Sequence, residues 1–304
     1  MFNWIELIRK PEKVKSYGEL NPNTTFYIIT NMAGGLASQY DSALGYIARA
    51  IKKGYVPVVD LSNSNNDCLR DESIKGDNTW EYYFKQPFEG QLQRKYTLEE
   101  VYKSSKVIHC SSLHTIYKRV NKNNIKKRFL LSQYISMIEP RYDFIIQQYE
   151  NLFSDINDDV IGVYYRGTDY KTVGTWRPTG HAKVPQIERF CDVLEKDIAK
   201  WKCHSIFFMT EEQEALDYFL TRFPQTKYVK KQRFCNFTYG KTIAEQVPES
   251  TSRFQNNLLY LTDIFILSKC HYLVGTVNSG LLMAMNWNNN KYKDLDILEL
   301  GITK

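Results

Sequence analysis

The chain has 304 residues, 43% hydrophobic and 24% charged, enough for one large or two ordinary domains with cores of their own. A net charge of +6 and a pI near 8.8, with basic residues scattered except for short clusters such as Lys126-Lys127-Arg128, suit a small anion as well as a polyanion. The six cysteines stand singly with no C-x-x-C pair, which argues against a disulfide scaffold and for free core thiols in a reducing compartment.

In chain order, apolar Phe26 to Thr30 reads as a strand, Asn31 to Gly35 as a loop, Leu36 to Lys53 as a helix and Tyr55 to Leu61 as a second strand. Such a β-loop-α-β unit imposes a parallel sheet. After a polar loop (Ser62 to Asn78), a helical Leu98 to Lys103, a strand at Lys106 to Cys110 and a helix at Arg141 to Phe153 complete a first half. The second half alternates in the same way. Strands are expected at Val160 to Tyr165, His204 to Thr210, near Lys227 to Val229 and at His271 to Thr276; helices at Pro185 to Lys200, Glu211 to Phe223, Arg253 to Ser268 and Gly280 to Trp287. The expected fold class is α/β, with two Rossmann-like domains, 1–154 and 155–304, facing a central cleft. Met1 to Glu19 has no apolar core of signal-peptide length, and Asp263, Lys269 and His271 interrupt the apolar Leu258 to Gly275. The expectation is a cytoplasmic chain without a membrane span, peripheral membrane contact being left open.

Ligands of open α/β sheets bind beyond the carboxyl ends of the strands, and four loops lie there. In "TNMAGGLASQYDSALGYIARA" the pair Gly34-Gly35 permits a tight turn, and the helix that follows, with Ser38 and Gln39 in its first turns, offers its positive end to a phosphate or sugar oxygen. With Asp60 closing the next strand, the same loop also allows a nicotinamide oxidoreductase, although the G-x-G-x-x-G spacing is missing. In "GVYYRGTDYKTVGTWRPTGHAKVP", Arg166 ends a strand with the planar fork that suits a pyrophosphate. Asp169 can orient it, bind a hydroxyl or act as a base, and an ion pair that merely pins the turn is the plain alternative. In "IFFMTEEQEALDYF", either Thr210 or Glu211 is expected near a nucleoside, or Glu211 and Glu212 simply favour a helix start. In "YLTDIFILSKCHYLVGTVNSGLLMAMNW", Asn278, Ser279 and Gly280 make a neutral phosphate cradle at a helix start.

His181, in a Gly- and Pro-rich loop, is a candidate base; the other histidines lack ligand spacing, so no metal site is expected. The aromatic run Thr79 to Pro87 either stacks a sugar or covers a core. No nucleic-acid-binding pattern accompanies the many tyrosines.

With these loops together, the sequence resembles the fucosyltransferase superfamily of the GT-B glycosyltransferases, which includes bacterial α1,2- and α1,6-fucosyltransferases and protein O-fucosyltransferases. Gly34-Gly35-Leu36-Ala37-Ser38-Gln39 is similar in four positions to that family's G-G-L-G-N-Q loop, Tyr164-x-Arg166-Gly167-Thr168-Asp169 to its H-x-R-x-x-D, and "LTDIFILSKCHYLVGTVNSG" to its leucine-rich helix, strand and Ser-containing loop. The resemblance implies a metal-independent, inverting glycosyltransferase that moves a sugar, most often fucose from GDP-fucose, to a glycan hydroxyl in bacterial surface polysaccharide synthesis. No cofactor is implied beyond the GDP-sugar cosubstrate. Arg166 would grip the diphosphate and Ser279 with neighbouring N–H groups the phosphates, while the Gly34 to Gln39 loop approaches the donor. The departures are Tyr164 for the histidine, Gly167 for the second arginine of the bacterial forms, and Trp176 near the place of the α1,6 enzymes' glutamate base. Asp169 is then the first choice for base or organiser and His181 the second. A glycan-binding protein with a decayed transferase site remains the other alternative.

Overall fold

The computed structural model describes residues 12–30, 34–62, 78–110, 122–171, 183–235, 246 and 252–301. The chain divides into two compact units, Met1–Tyr117 with Leu130–Ile138, and Lys118–Phe129 with Glu139–Lys304.

The first unit is built on a four-stranded sheet of order β1-β4-β2-β3, from β1 (Val14–Lys15), β2 (Phe26–Ile29), β3 (Val56–Val59) and β4 (Val107–His109). Strand β2 is parallel to β3 and β4, and the short β1 is antiparallel to β4 at the edge. All residues of β2 and β3 are buried, as expected of strands covered on both faces. Helix α1 (Leu36–Lys52) packs on β2 and β3 through Leu36, Tyr40, Ala43, Leu44 and Ile47, the helical spacing seen in the sequence. Phe26, Ile28, Val56, Val58, Phe88, Val101 and Val107 form a separate cluster, Val101 ending the short α2 (Leu98–Val101), whose start is closed by a capping box of Thr97 and Glu100. The aromatic run holds a 3-10 turn, Thr79–Tyr82, and Trp80, Tyr83 and Phe84 are fully buried, so it serves a core.

The second unit carries an all-parallel sheet of order β6-β5-β7-β8, from β5 (Val160–Tyr165), β6 (Ser205–Thr210), β7 (Tyr272–Gly275) and β8 (Asp294–Ile297). Helices α3 (Lys122–Ser132) and α4 (Glu139–Phe153) precede it in the chain. Within it lie α5 (Ile187–Trp201), α6 (Gln213–Arg222), α7 (Arg253–Lys269) and α8 (Ser279–Asn288). Ile161, Val163, Tyr165, Phe190, Leu194, Phe208, Leu216 and Phe219 form one core, joining β5 and β6 to α5 and α6. Helix α7 lies against β5, close enough that a Cβ on Gly162 would stand 3.0 Å from both Cys270 and Leu267. Helix α4 packs on α7 through Tyr142 and Tyr149, each with its ring centroid 5.9 Å from that of Phe265, which groups α4 with the second unit although it precedes residue 155.

Several elements differ from the sequence reading. The segment near Lys227 to Val229 makes only an isolated bridge, Phe207 to Lys227, in place of a strand. Helix α6 begins at Gln213, two residues later than expected, because the backbone at Glu212 is extended and bridges to Phe234, whose N–H donates to the Glu211 carbonyl. Cys110, Cys191, Cys203 and Cys270 are buried free thiols, but Cys235 is exposed, so it is no core residue; Cys68 lies outside the described residues. Among the described residues, no helix is long and apolar enough to cross a membrane.

Candidate active site

In the second sheet the chain runs from β5 to β6 on one side and then crosses to β7 on the other. The strand order therefore reverses at β5, and the crevice beyond its carboxyl end is where open α/β sheets receive ligands. The register aligns Tyr165 with Thr210 and Tyr164 with Gly275, so the turns after β5, β6 and β7 share one edge. Those turns bring together Tyr164, Arg166, Asp169, Thr210, Glu211, Asn278, Ser279 and Gly280.

Arg166 leaves the end of β5 into this edge. Its Nη2 lies 2.9 Å from Asp169 Oδ1, its Nη1 donates to Thr168 Oγ1 at 2.7 Å, and its guanidinium stacks over the Tyr170 ring at 4.8 Å. Burial opposes its charge, but Asp169, Tyr164 and Tyr170, with Glu211 beyond them, hold its pKa above the ordinary arginine value. The Arg166–Asp169 pair thus exists, and Asp169 also accepts from Thr168 Oγ1 at 3.1 Å. The carboxylate therefore contacts both the guanidinium and the Thr168 hydroxyl.

Beside Arg166, three charges are packed below the surface. Lys231 Nζ lies 2.8 Å from Glu211 Oε1 and 2.7 Å from Asp263 Oδ2, with the lysine and Asp263 side chains 3% and 0% exposed. Burial raises the pKa of Glu211, yet Lys231, Arg166 and Arg233 together hold it below the usual carboxylate range. Burial pushes Asp263 up to about 6, Lys231 acting against that shift and Glu211 with it. Arg233 is tied to main-chain carbonyls of Thr210, Val229 and Lys231, which fixes the strand-like segment that carries Lys231.

The third wall is the start of α8. Asn278 caps it, accepting from Leu281 N–H at 3.0 Å while its amide donates to the Thr276 carbonyl at 2.9 Å; both ends of this side chain are therefore committed within the fold. Gly280 lies against Tyr164 and Tyr260, and a Cβ there would overlap the Tyr260 hydroxyl. Tyr164 is fully buried, and burial, with Tyr260 adding to it, raises its phenol well above the ordinary value. Thr276 Oγ1 and Asp263 Oδ1 have no hydrogen-bond partner among the described residues.

The remaining expected residues lie elsewhere. Gly34, Gly35, Ser38 and Gln39 belong to the first unit. There Gly34 takes φ +85°, Gly35 is the N-cap of α1, and Gln39 Nε2 donates to the Gly34 carbonyl at 2.9 Å, which sets the loop's shape. Asp60 accepts from Ser62 N–H and Oγ with one oxygen and from Tyr102 with the other, so the acid needed for a nicotinamide ribose is already occupied by its own fold. His181 and Trp176 lie outside the described residues. Among those described, no group of three or more His, Cys, Asp or Glu could hold a metal ion. A shallow hollow of about 300 Å³ near His204, Arg222 and Pro224 includes none of the residues above. Sequence reasoning did not single out Lys231 or Tyr260, and it took Asp263 only as a break in an apolar run. Tyr260 and Asp263 show in the sequence only as a hydroxyl and a charge inside an apolar stretch, and Lys231 only as part of the basic pair Lys230-Lys231.

No family model and no curated protein matches the chain. Solved structures do. NodZ alpha-1,6-fucosyltransferase soaked with GDP-fucose is matched over 86% of this chain and 92% of that chain, at 15% identity and a TM-score of 0.53. The same figures hold for fucosyltransferase NodZ from Bradyrhizobium. POFUT1 in complex with GDP-fucose is matched over 92% of this chain and 99% of that chain, at 9% identity and a TM-score of 0.55. At such identities the likeness is one of fold: this chain has the GT-B fold of the fucosyltransferases that its motifs resemble.

Proposed function

We propose that the protein is an inverting, metal-independent glycosyltransferase that moves fucose from GDP-fucose to a hydroxyl of a glycan acceptor in surface polysaccharide synthesis. The observation that carries this reading is Arg166, held charged at the switch point of a parallel sheet beside the capped start of α8. Likeness of fold to structures that hold GDP-fucose supports the choice of donor. In this reading residues 155–304 bind the nucleotide, residues 1–154 form the acceptor-side domain, and the Gly34 to Gln39 loop approaches the donor.

Arg166 and the positive end of α8 face the diphosphate, Ser279 and Gly280 lying at that helix end. The acceptor oxygen attacks the anomeric carbon in line, and the bond to the diphosphate breaks with its electron pair going to the phosphate oxygen. The guanidinium and helix end stabilise that developing charge without a metal. Asp169 keeps the guanidinium oriented. His181 remains a candidate to receive the acceptor proton.

The test is titration with GDP, UDP and NAD in a thermal-shift assay, followed by donor turnover in Arg166→Ala. GDP is expected to stabilise the protein. Stabilisation by NAD alone, or a fall in Arg166→Ala turnover of less than about threefold, would overturn the reading.

A further inference from the structure

The Glu212 carboxylate sits against the turn that aims Arg166, yet the reading above gives it no role. Its backbone N–H donates to Thr210 Oγ1 at 3.2 Å, its Oε2 accepts from Thr168 N–H at 3.0 Å, and its Oε1 pairs with Lys171. The turn it meets is strained. Gly167 and Thr168 take φ +55° and +47°, and for a β-branched residue such as threonine that region is a genuine outlier. A strained conformation persists only where its surroundings impose it, and here Thr168 N–H meets a carboxylate whose side chain is 11% exposed, while the Thr168 carbonyl accepts from Lys171 N–H at 3.1 Å.

In this chain the anion at Thr168 N–H is internal. Thr168 in turn receives Arg166 Nη1 on its hydroxyl, so a line of contacts runs from Glu212 through Thr168 to the guanidinium. We infer that Glu212 is a positioning residue for Arg166: it holds the Gly167-Thr168 turn in its positive-φ form and so presents the guanidinium to a bound diphosphate. This rests on the functional reading given above. It also divides the work of the turn, with the Thr168 main-chain donor serving the fold and the Arg166 side chain serving the ligand.

The test measures binding of GDP, and separately of inorganic pyrophosphate, by calorimetry in the wild type and in Glu212→Ala, Glu212→Gln, Arg166→Ala and the Glu212→Ala/Arg166→Ala pair. Glu212→Ala is expected to weaken binding about tenfold, because a hydrogen bond to a charged group is lost, whereas Glu212→Gln stays within about threefold since its amide oxygen can still accept from Thr168 N–H. In the Arg166→Ala background the added effect of Glu212→Ala falls below about threefold, the non-additivity that marks action through the guanidinium. If Glu212→Ala does not fold, Glu212→Asp takes its place, keeping the charge but withdrawing the oxygens by one methylene. Fully additive losses, or a Glu212→Gln as weak as the alanine variant, overturn the inference. A wild type that binds pyrophosphate through Arg166 but not GDP overturns the functional reading alone, and one that binds neither overturns both.

Discussion

Gly167→Ala tests the geometry of the Arg166 turn most directly. A Cβ at residue 167 would overlap Glu212 Oε2 and stand 3.2 Å from Tyr165 Cε1, on a backbone at φ +55°. An L side chain in that region costs about 1–2 kcal/mol. Displacing the carboxylate from Thr168 N–H removes a charged hydrogen bond worth about 1.5–3 kcal/mol. The two sum to roughly 2.5–5 kcal/mol of destabilisation, provided the turn does not relax. Urea unfolding followed by circular dichroism reads this directly, and GDP titration of the same variant reads what becomes of Arg166. A loss below about 1 kcal/mol with unchanged GDP affinity would refute the argument, since it would mean that the positive-φ turn and its carboxylate clamp are not required. The same geometry accounts for a glycine at this position, where the bacterial enzymes that the sequence resembles have a second arginine.

Lys231→Met leaves Glu211 and Asp263 facing each other without their shared cation, and removing one member of a buried ion pair costs about 3–5 kcal/mol; a loss under about 1 kcal/mol in denaturant unfolding would show that the cation is dispensable. Asp197 on α5 is buried, and burial, with Asp296 of β8 beside it, raises its pKa to about 6. The folded state therefore holds a proton that the unfolded chain has released, so this group's contribution to stability is whole below about pH 4 and declines as pH rises to about 6. Asp197→Asn removes that decline, and its unfolding midpoint should gain on the wild type between pH 4.5 and 7; parallel midpoints across that range would contradict it.

The sequence alone determined the parts of this protein whose structure depends on local pattern. The apolar runs of β2, β3, β5 and β6 had to be buried strands, and the spacing of Leu36, Tyr40, Ala43 and Ile47 had to be one helix face. Arg166 at a strand end was legible for the same reason, since period and position locate the carboxyl edge of a sheet. Elements with weak periodicity were not legible: β1 is two exposed residues, β8 alternates acids with apolar residues, and the lysine-rich α3 has no clean apolar face. The partners of the site were hidden for another reason. Glu211 and Glu212 have the look of acids favoured by a helix dipole, but their partners Lys231, Lys171 and Thr168 lie 20, 41 and 44 residues away in sequence. Only the parallel register of β5 with β6 and β7 brings those turns to one edge, and only burial there turns scattered charges into an organised set. Local pattern specifies a strand or a helix because its period is written into consecutive residues; which side chains then meet depends on the order of strands in the sheet, which no single stretch of sequence contains.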